Sequence, residues 1–169
     1  EDSRQETITV TAQKREQSLQ DVAGSLVAFE EEAIAERGLD SIENLVQAVP
    51  GLVYTEPSGS SQISVRGGGL LVNNGVAEPA VGTHIDGVFQ PRASVSTLQF
   101  LDLERVEVLR GPQSTLYGRN TTAGSLNFVS KKPSEDFEGV AALGRGSYSE
   151  VVAKGYLTGP VAGDAILGR

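Results

Sequence analysis

Residues 103–133 constrain this chain more than any other stretch. They read Leu103-Glu-Arg-Val-Glu-Val-Leu-Arg-Gly-Pro-Gln-Ser-Thr-Leu-Tyr-Gly-Arg-Asn-Thr-Thr-Ala-Gly-Ser-Leu-Asn-Phe-Val-Ser-Lys-Lys-Pro133. A strand with charges on alternate residues runs into Arg110-Gly111-Pro112. A tight turn at Tyr117-Gly118 follows, then a second strand and a Lys131-Lys132-Pro133 stop.

The composition suits a domain of short strands and many turns. Glycine is abundant (20 residues), aromatics make up 5% and tryptophan is absent, unlike a packed helical bundle. A formal charge of −8 argues against a nucleic-acid partner, which would require clustered lysine and arginine. The acidity acts as a solubility device. Without cysteine there is no disulfide framework or thiolate metal site, and the redox compartment is left open. Residues 1–6 are polar with no apolar leader core, so an exported protein would have to be represented here by a mature or cut sequence. No run approaches the ~20 apolar residues of a membrane-spanning helix. The expectation is a soluble chain unless it belongs to a larger β-barrel.

Residues 1–18 read as an arm with one extended segment, Thr7-Ile8-Thr9-Val10-Thr11. On local sequence alone it fits a disordered tail or edge strand as well as a strand that docks on a partner's sheet. A strand is expected over 22–29, then a helix over 30–38 with three acids in its first turn and Gly38 at its end. A second helix is expected from an Asp40 N-cap with Glu43 three later, its apolar face being Ile42, Leu45, Val46 and Val49, ended by Pro50-Gly51. Ile63–Arg66 reads as a short strand before Gly67-Gly68-Gly69. Val81–Phe89 reads as a hairpin about Asp86-Gly87. A short helix within 94–103 would turn Val95, Leu98 and Leu101 inward.

After a linker at 134–136 the character changes. Residues 137–147 and 149–158 are two long extended stretches joined by a short turn. Val151, Ala153, Gly155 and Leu157 fall on one face, and Lys154, Tyr156 and Thr158 on the other, with Val152 blurring the split. Transmembrane strands have ~9–11 residues and an apolar lipid face. Gly159-Pro160 is expected to turn, with a third strand starting at 165–167. Two or three strands cannot close a barrel, so the sequence reads as a fragment or part of a longer protein.

The 103–133 block resembles the recurrent signature "VEVLRGPxxxLYGxxxxxGxxNxVTKKP" of the plug domain of TonB-dependent outer-membrane receptors. Glu6–Ala12 match that family's TonB box "ETITVTA", the second helix resembles its "sleDLLxxvPGv" segment, and the Asp86-Gly87 hairpin its "vyvDGvy". The resemblance covers nearly the whole chain. It implies an α+β fold, a plug with a small mixed sheet and short helices, followed by the first strands of a 22-stranded antiparallel transmembrane β-barrel. The domains would be an N-terminal arm over 1–18 with its box at about 6–12, a plug over 19–133, a linker over 134–136 and barrel strands over 137–169. It implies a gate in the outer membrane for active uptake of a scarce nutrient such as a ferric siderophore, with no enzymatic activity and no cofactor. The implied partners are the TonB C-terminal domain energised by ExbB/ExbD, the chain's own barrel and an extracellular small-molecule substrate. Uptake of a carbohydrate or other non-iron cargo, or an isolated plug-like soluble binding or adaptor protein, stay as alternatives. A periplasmic hydrolase is a third, from a different class.

The resemblance assigns Thr7, Ile8, Thr9, Val10 and Thr11 to TonB binding. It assigns Arg66 and Arg110, each ending a strand before glycine, to a lock against barrel glutamates. Arginine suits this because its planar fork binds carboxylates bidentately and stays charged. Without the resemblance they read as ordinary surface arginines. The expectation is a central sheet that sets the two side by side. Glu107 is a second-tier member of that set, or else a local partner. Ligand contacts should come from polar loops, where Asn73, Asn74, Gln90 and Arg92 are the candidates. Gly67, Gly111, Gly118 and Gly124 read as tight-turn or close-approach positions, and no phosphate-binding glycine motif is present. His84 is the sole histidine and reads as a structural strand residue, with no third ligand to make a metal site of His84 and Asp86. Asn120-Thr-Thr fits a glycosylation pattern with a high false-positive rate. No hydrolase motif is found.

Overall fold

The computed structural model describes residues 9–10, 17–22, 24–56, 62–69, 79–90, 102–149, 151–162 and 166–169. The chain divides into two compact units, Glu1–Ser130 and Lys131–Arg169. The second therefore takes in the Lys131-Lys132-Pro133 stop.

The first unit is built on a five-stranded mixed sheet. Its strands are β3 (Ser25–Glu30), β7 (Val81–Ile85), β8 (Val88–Gln90), β9 (Leu103–Arg110) and β10 (Gly124–Ser130), in the order β3-β9-β10-β7-β8. β10 runs parallel to β7, and every other pairing is antiparallel. The register sets Val106 against Phe128 and Val108 against Leu126, which fixes one apolar face. Gly124 permits that register, since a Cβ there would lie 2.5 Å from the Leu109 carbonyl oxygen.

Helices α1 (Glu31–Glu36) and α2 (Ile42–Ala48) supply the rest of the main core. Leu39, Ile42, Leu45 and Val49 meet Phe29, Val106, Val108, Leu126 and Phe128, with Leu52 and Val65 added by a small sheet. That sheet is β4 (Leu52–Thr55), β5 (Gln62–Val65) and β6 (Gly68–Gly69). The α2 stripe is as the spacing predicts, but the cap is one residue later. Ser41, extended at φ −148° and ψ 167°, accepts from the Asn44 N–H at 3.4 Å. Asp40 instead accepts from the Asn44 side-chain amide at 2.8 Å. Ile42 can then open the helix with its side chain buried.

The Asp86-Gly87 hairpin forms as expected, with both residues at positive φ (48° and 78°). The expected Tyr117-Gly118 turn is a single helical turn, α3 (Ser114–Tyr117), ended by Gly118 at φ 92° and ψ −179°, a conformation open essentially to glycine alone. The short helix expected within 94–103 lies outside the described residues over 94–101, and Leu103 already belongs to β9. On the opposite face of the sheet a second apolar cluster joins Val10 and Leu109 to Leu19, Val22, Leu26, Ala28 and Tyr117. Val10 comes from a two-residue strand β1 (Thr9–Val10), paired antiparallel with β2 (Gln17–Ser18).

The second unit is a three-stranded antiparallel sheet of β11 (Glu138–Arg145), β12 (Val151–Ala162) and β13 (Ile166–Gly168). Leu143 pairs with Ala153 and Gly139 with Leu157, while Val140 pairs with Tyr156 and Ala142 with Lys154. The two faces therefore separate as the alternation predicts. Gly159-Pro160 does not turn, contrary to expectation. β12 runs through it to Ala162, and Pro160 pairs with Leu167. β11 ends its pairing at Thr158, so β12 has an open edge at Pro160, where a proline is tolerated. No helix among the described residues is long and apolar enough to cross a membrane, which says nothing of strands.

Candidate functional site

Two places in the first unit gather functional side chains. The first is the Pro50-Gly51 turn at the end of α2. Arg110, the last residue of β9, donates from Nη1 to the Pro50 carbonyl at 3.3 Å. Arg66 donates its backbone N–H to the Gly51 carbonyl at 2.8 Å, and its Cγ lies 3.7 Å from where a Gly51 Cβ would be. The fold thus brings together two arginines 44 positions apart. They do not share the central sheet, contrary to expectation. Arg110 ends a central strand, whereas Arg66 sits in the turn between β5 and β6, because a two-residue hairpin with Gly67 ends β5 at Val65.

That turn is unusual. Arg66 has φ 53° and Gly67 φ 77°. Two-residue hairpins with both residues at positive φ favour Asn-Gly or Asp-Gly, and a left-handed backbone costs an ordinary side chain about 1–2 kcal/mol. Arg110 Nε is buried without a hydrogen-bond partner among the described residues. Neither arginine is in an ion pair there. Two cations thus meet at one turn with unused donor capacity, an arrangement suited to receiving carboxylates.

Glu107 lies elsewhere. Its parity puts it on the opposite face of β9 from Arg110. It is fully buried, with Oε1 accepting from Arg105 Nε at 2.9 Å. Arg105 is also paired with Glu104. Of the two roles considered for Glu107 from sequence, the geometry fits the local partner, although that partner is Arg105.

Glu107 belongs to a buried polar row crossing the sheet. The cross-strand register is Ala28–Glu107–Asn127–His84–Phe89. Asn127 Nδ2 donates to Glu107 Oε2 (3.3 Å) and to the Tyr117 hydroxyl (3.0 Å), while its Oδ1 accepts from Ser125 Oγ (3.0 Å). Ser125 Oγ also lies 3.1 Å from His84 Nδ1. With the serine proton given to Asn127, His84 Nδ1 is the donor. The His84 ring packs edge-on to Tyr117 and tilted against Phe89. Burial raises the pKa of the Tyr117 phenol, the Asn127 hydrogen bond opposes that shift, and the Glu107 charge adds to it. Sequence reasoning missed Arg105, Ser125, Asn127 and Tyr117 as a group. The available signal was polar residues alternating with apolar ones along both signature strands.

Of the docking residues, Thr9 is exposed and Val10 fully buried, while Thr7, Ile8 and Thr11 lie outside the described residues. So do Asn73, Asn74 and Arg92. Gln90 ends β8, half-buried, its side chain donating to the Val88 carbonyl at 3.3 Å. Asn120-Thr-Thr carries a fully buried Thr121, whose hydroxyl donates to the Gly118 carbonyl at 2.6 Å. No group of His, Asp and Glu suited to a metal occurs among the described residues.

Comparison with known proteins places these features. Residues 18–125 match the family model for the TonB-dependent Receptor Plug Domain. The pesticin receptor of Yersinia pestis is 34% identical over 96% of this chain and 24% of its own length. The iron-regulated outer membrane virulence protein of Vibrio cholerae is 30% identical over 93% of this chain and 26% of its own length. The crystal structure of the ferric yersiniabactin uptake receptor FyuA from Yersinia pestis superposes with a TM-score of 0.72 at 29% identity, over 83% of this chain and 22% of that one. The chain thus spans about a quarter of the length of the curated relatives it matches. It belongs to the family of TonB-dependent outer-membrane receptors, of which it carries the plug domain.

Proposed function

We propose that this chain is the gate of an active transporter that takes up a scarce nutrient of the ferric siderophore class. Substrate binds from outside and alters the order of the N-terminal arm. Residues 7–11 then pair as a strand with the TonB C-terminal domain, and force derived through ExbB/ExbD remodels or displaces the plug. The process is transport without covalent chemistry. The observation that carries the gate is the convergence of Arg66 and Arg110 at Pro50-Gly51, one with a strained backbone and the other with a buried unpartnered Nε. Such a pair fits glutamates on the inner wall of a barrel. Losing one side of a buried ion pair costs roughly 3–5 kcal/mol, which makes a lock of this kind sensitive to mechanical displacement.

The second unit favours a receptor over an isolated soluble adaptor. Leu143 is 84% exposed, and Val151 and Leu157 stand exposed on the same face. An apolar strand face of this kind suits lipid, so we read 137–169 as opening a 22-stranded barrel. Siderophore cargo draws support from the iron-linked names of the relatives, and a carbohydrate or other cargo would use the same mechanism. The deciding experiment is uptake across a ligand panel by the complete receptor, with Arg110→Ala alongside. The expected result is siderophore uptake and, in the variant, greater leak of small antibiotics. Unchanged leak would reject the lock, and uptake of a different cargo class would replace the siderophore assignment. Docking is tested by pull-down with a TonB C-terminal domain, which Ile8→Pro should abolish by removing a ladder donor.

A further inference from the structure

The apolar cluster that takes in Val10 of the docking arm and the buried polar row meet at Tyr117. Val10 is fully buried beside Leu109, in a cluster to which Leu19, Val22, Leu26, Ala28 and Tyr117 contribute. Tyr117 also belongs to the row. Its hydroxyl accepts from Asn127 Nδ2, which is bonded in turn to Glu107, and its ring lies 5.0 Å from that of His84. Ala28, another member of that cluster, pairs across the sheet with Glu107, but among the described members of the cluster Tyr117 is the one whose side chain is hydrogen-bonded into the row. α3, which carries it, is one turn long and ends at Gly118. So short a helix does not hold a side chain by its own stability. The hydrogen bond from Asn127 and the ring contact with His84 are among the contacts that hold Tyr117 in place.

We propose that Tyr117 is a positioning residue for the docking arm: pinned to Asn127 by its hydroxyl, its ring walls the seat of Val10, so that order in the buried row and order in β1 are one coupled equilibrium. This rests on the docking role assigned above to residues 7–11. The row continues through Asn127 and His84 to Phe89, next to Gln90 at the end of β8. Disturbance at either end of the row therefore acts on Tyr117. By linkage the effect is reciprocal, and unseating Val10 must loosen α3.

Amide hydrogen exchange on the full 169-residue chain tests this without TonB. Tyr117→Phe keeps the ring and removes only the hydroxyl. Exchange at the Val10 amide should rise about three- to tenfold, the range expected from one net hydrogen bond, while Val108 and Leu126 in the central strands stay unchanged. In the reverse direction, Val10→Ala should speed exchange at the Tyr117 and Gly118 amides, which bond to Gln113 and Ser114. Unchanged Val10 exchange in Tyr117→Phe overturns the proposal. An equal rise at Val10, Val108 and Leu126 also overturns it, because Tyr117 would then be a general stabilising residue. If Tyr117→Phe does not fold, the Val10→Ala measurement decides. Affinity for the TonB C-terminal domain is measured on the same proteins. Tighter binding by Tyr117→Phe accords with both ideas, whereas faster exchange in the arm without any change in TonB binding leaves the positioning role of Tyr117 standing and rejects the docking role.

Discussion

The two units of this chain solve the problem of a half-apolar sheet in opposite ways. In residues 1–130 one face of the central sheet is covered by α1, α2 and the small β4-β5-β6 sheet, and the other carries a paired polar row beside the Val10 cluster. In residues 131–169 the apolar face of β11 and β12 is left open, while the face bearing Tyr156 and Lys154 is partly covered. Lys131 and Arg169 lie over the Tyr156 ring at 5.5 and 4.1 Å. Charge divides in the same way. The whole −8 belongs to residues 1–130, since 131–169 hold five acidic and five basic residues. The first unit is built for water on its outside, and the second has its greasy side out. The same alternating pattern thus gives a covered face in one unit and an open one in the other, and the difference is made by what lies over each face.

The contrast breaks most easily at matched leucines. Leu126 is fully buried and Leu143 is 84% exposed. Leu126→Ala should cost the first unit about 3 kcal/mol in urea unfolding, and Leu143→Ala should leave it unchanged. Equal effects would mean that the two faces are not different in kind. Leu143→Lys sharpens the point. It should be silent in aqueous unfolding of residues 1–130, yet cost roughly 2–4 kcal/mol of barrel stability if it meets the bilayer midplane.

Glu107→Ala probes the polar row. It removes a buried carboxylate that accepts from Arg105 and Asn127, and a loss on the order of 3 kcal/mol is expected in the same unfolding assay. A loss below 1 kcal/mol would show that the row contributes little.

Arg66→Asn separates folding from function. Asparagine suits the positive φ of that turn, so the plug should gain about 1 kcal/mol. If Arg66 serves the proposed lock, the complete receptor should become leakier. A stabilised plug with a tight pore would remove Arg66 from the lock.

Ser41→Ala should cost about 0.5–1 kcal/mol through loss of the α2 cap, while Asp40→Ala should cost less. The reverse order would restore Asp40 as the cap.

The smallest effect expected is alkaline. The Tyr117 pKa is raised in the fold by burial, so its contribution is intact below the unfolded tyrosine value of about 10 and is lost as pH rises from there through the folded value. Tyr117→Phe should flatten the stability curve above pH 10, and an unaltered slope would mean that the phenol is not protected by burial.

Much of this was legible before any fold was seen. Periodicity alone placed the α2 stripe, since Ile42, Leu45 and Val49 recur at helical spacing and a helix buries what lies on one side. The Asp86-Gly87 hairpin and the two faces of β12 followed from turn chemistry and the two-residue period of strands. The cap at Ser41 and the run of β12 through Gly159-Pro160 did not follow. Asp40 and Ser41 carry equivalent capping oxygens, and whether a proline breaks a strand depends on whether a neighbour needs its N–H.

The sequence by itself determined the apolar stripe of α2, the Asp86-Gly87 hairpin, the alternate faces of β12 and the family to which the chain belongs, because those are properties of local order and spacing. Only the tertiary structure decided that Arg66 meets Arg110 at Pro50-Gly51, that Glu107 and Asn127 face each other across the sheet, and that Tyr117 joins both Asn127 and the Val10–Leu109 cluster. Those meetings depend on strand order and register, which bring residues far apart in the chain into one neighbourhood, and no local pattern encodes them.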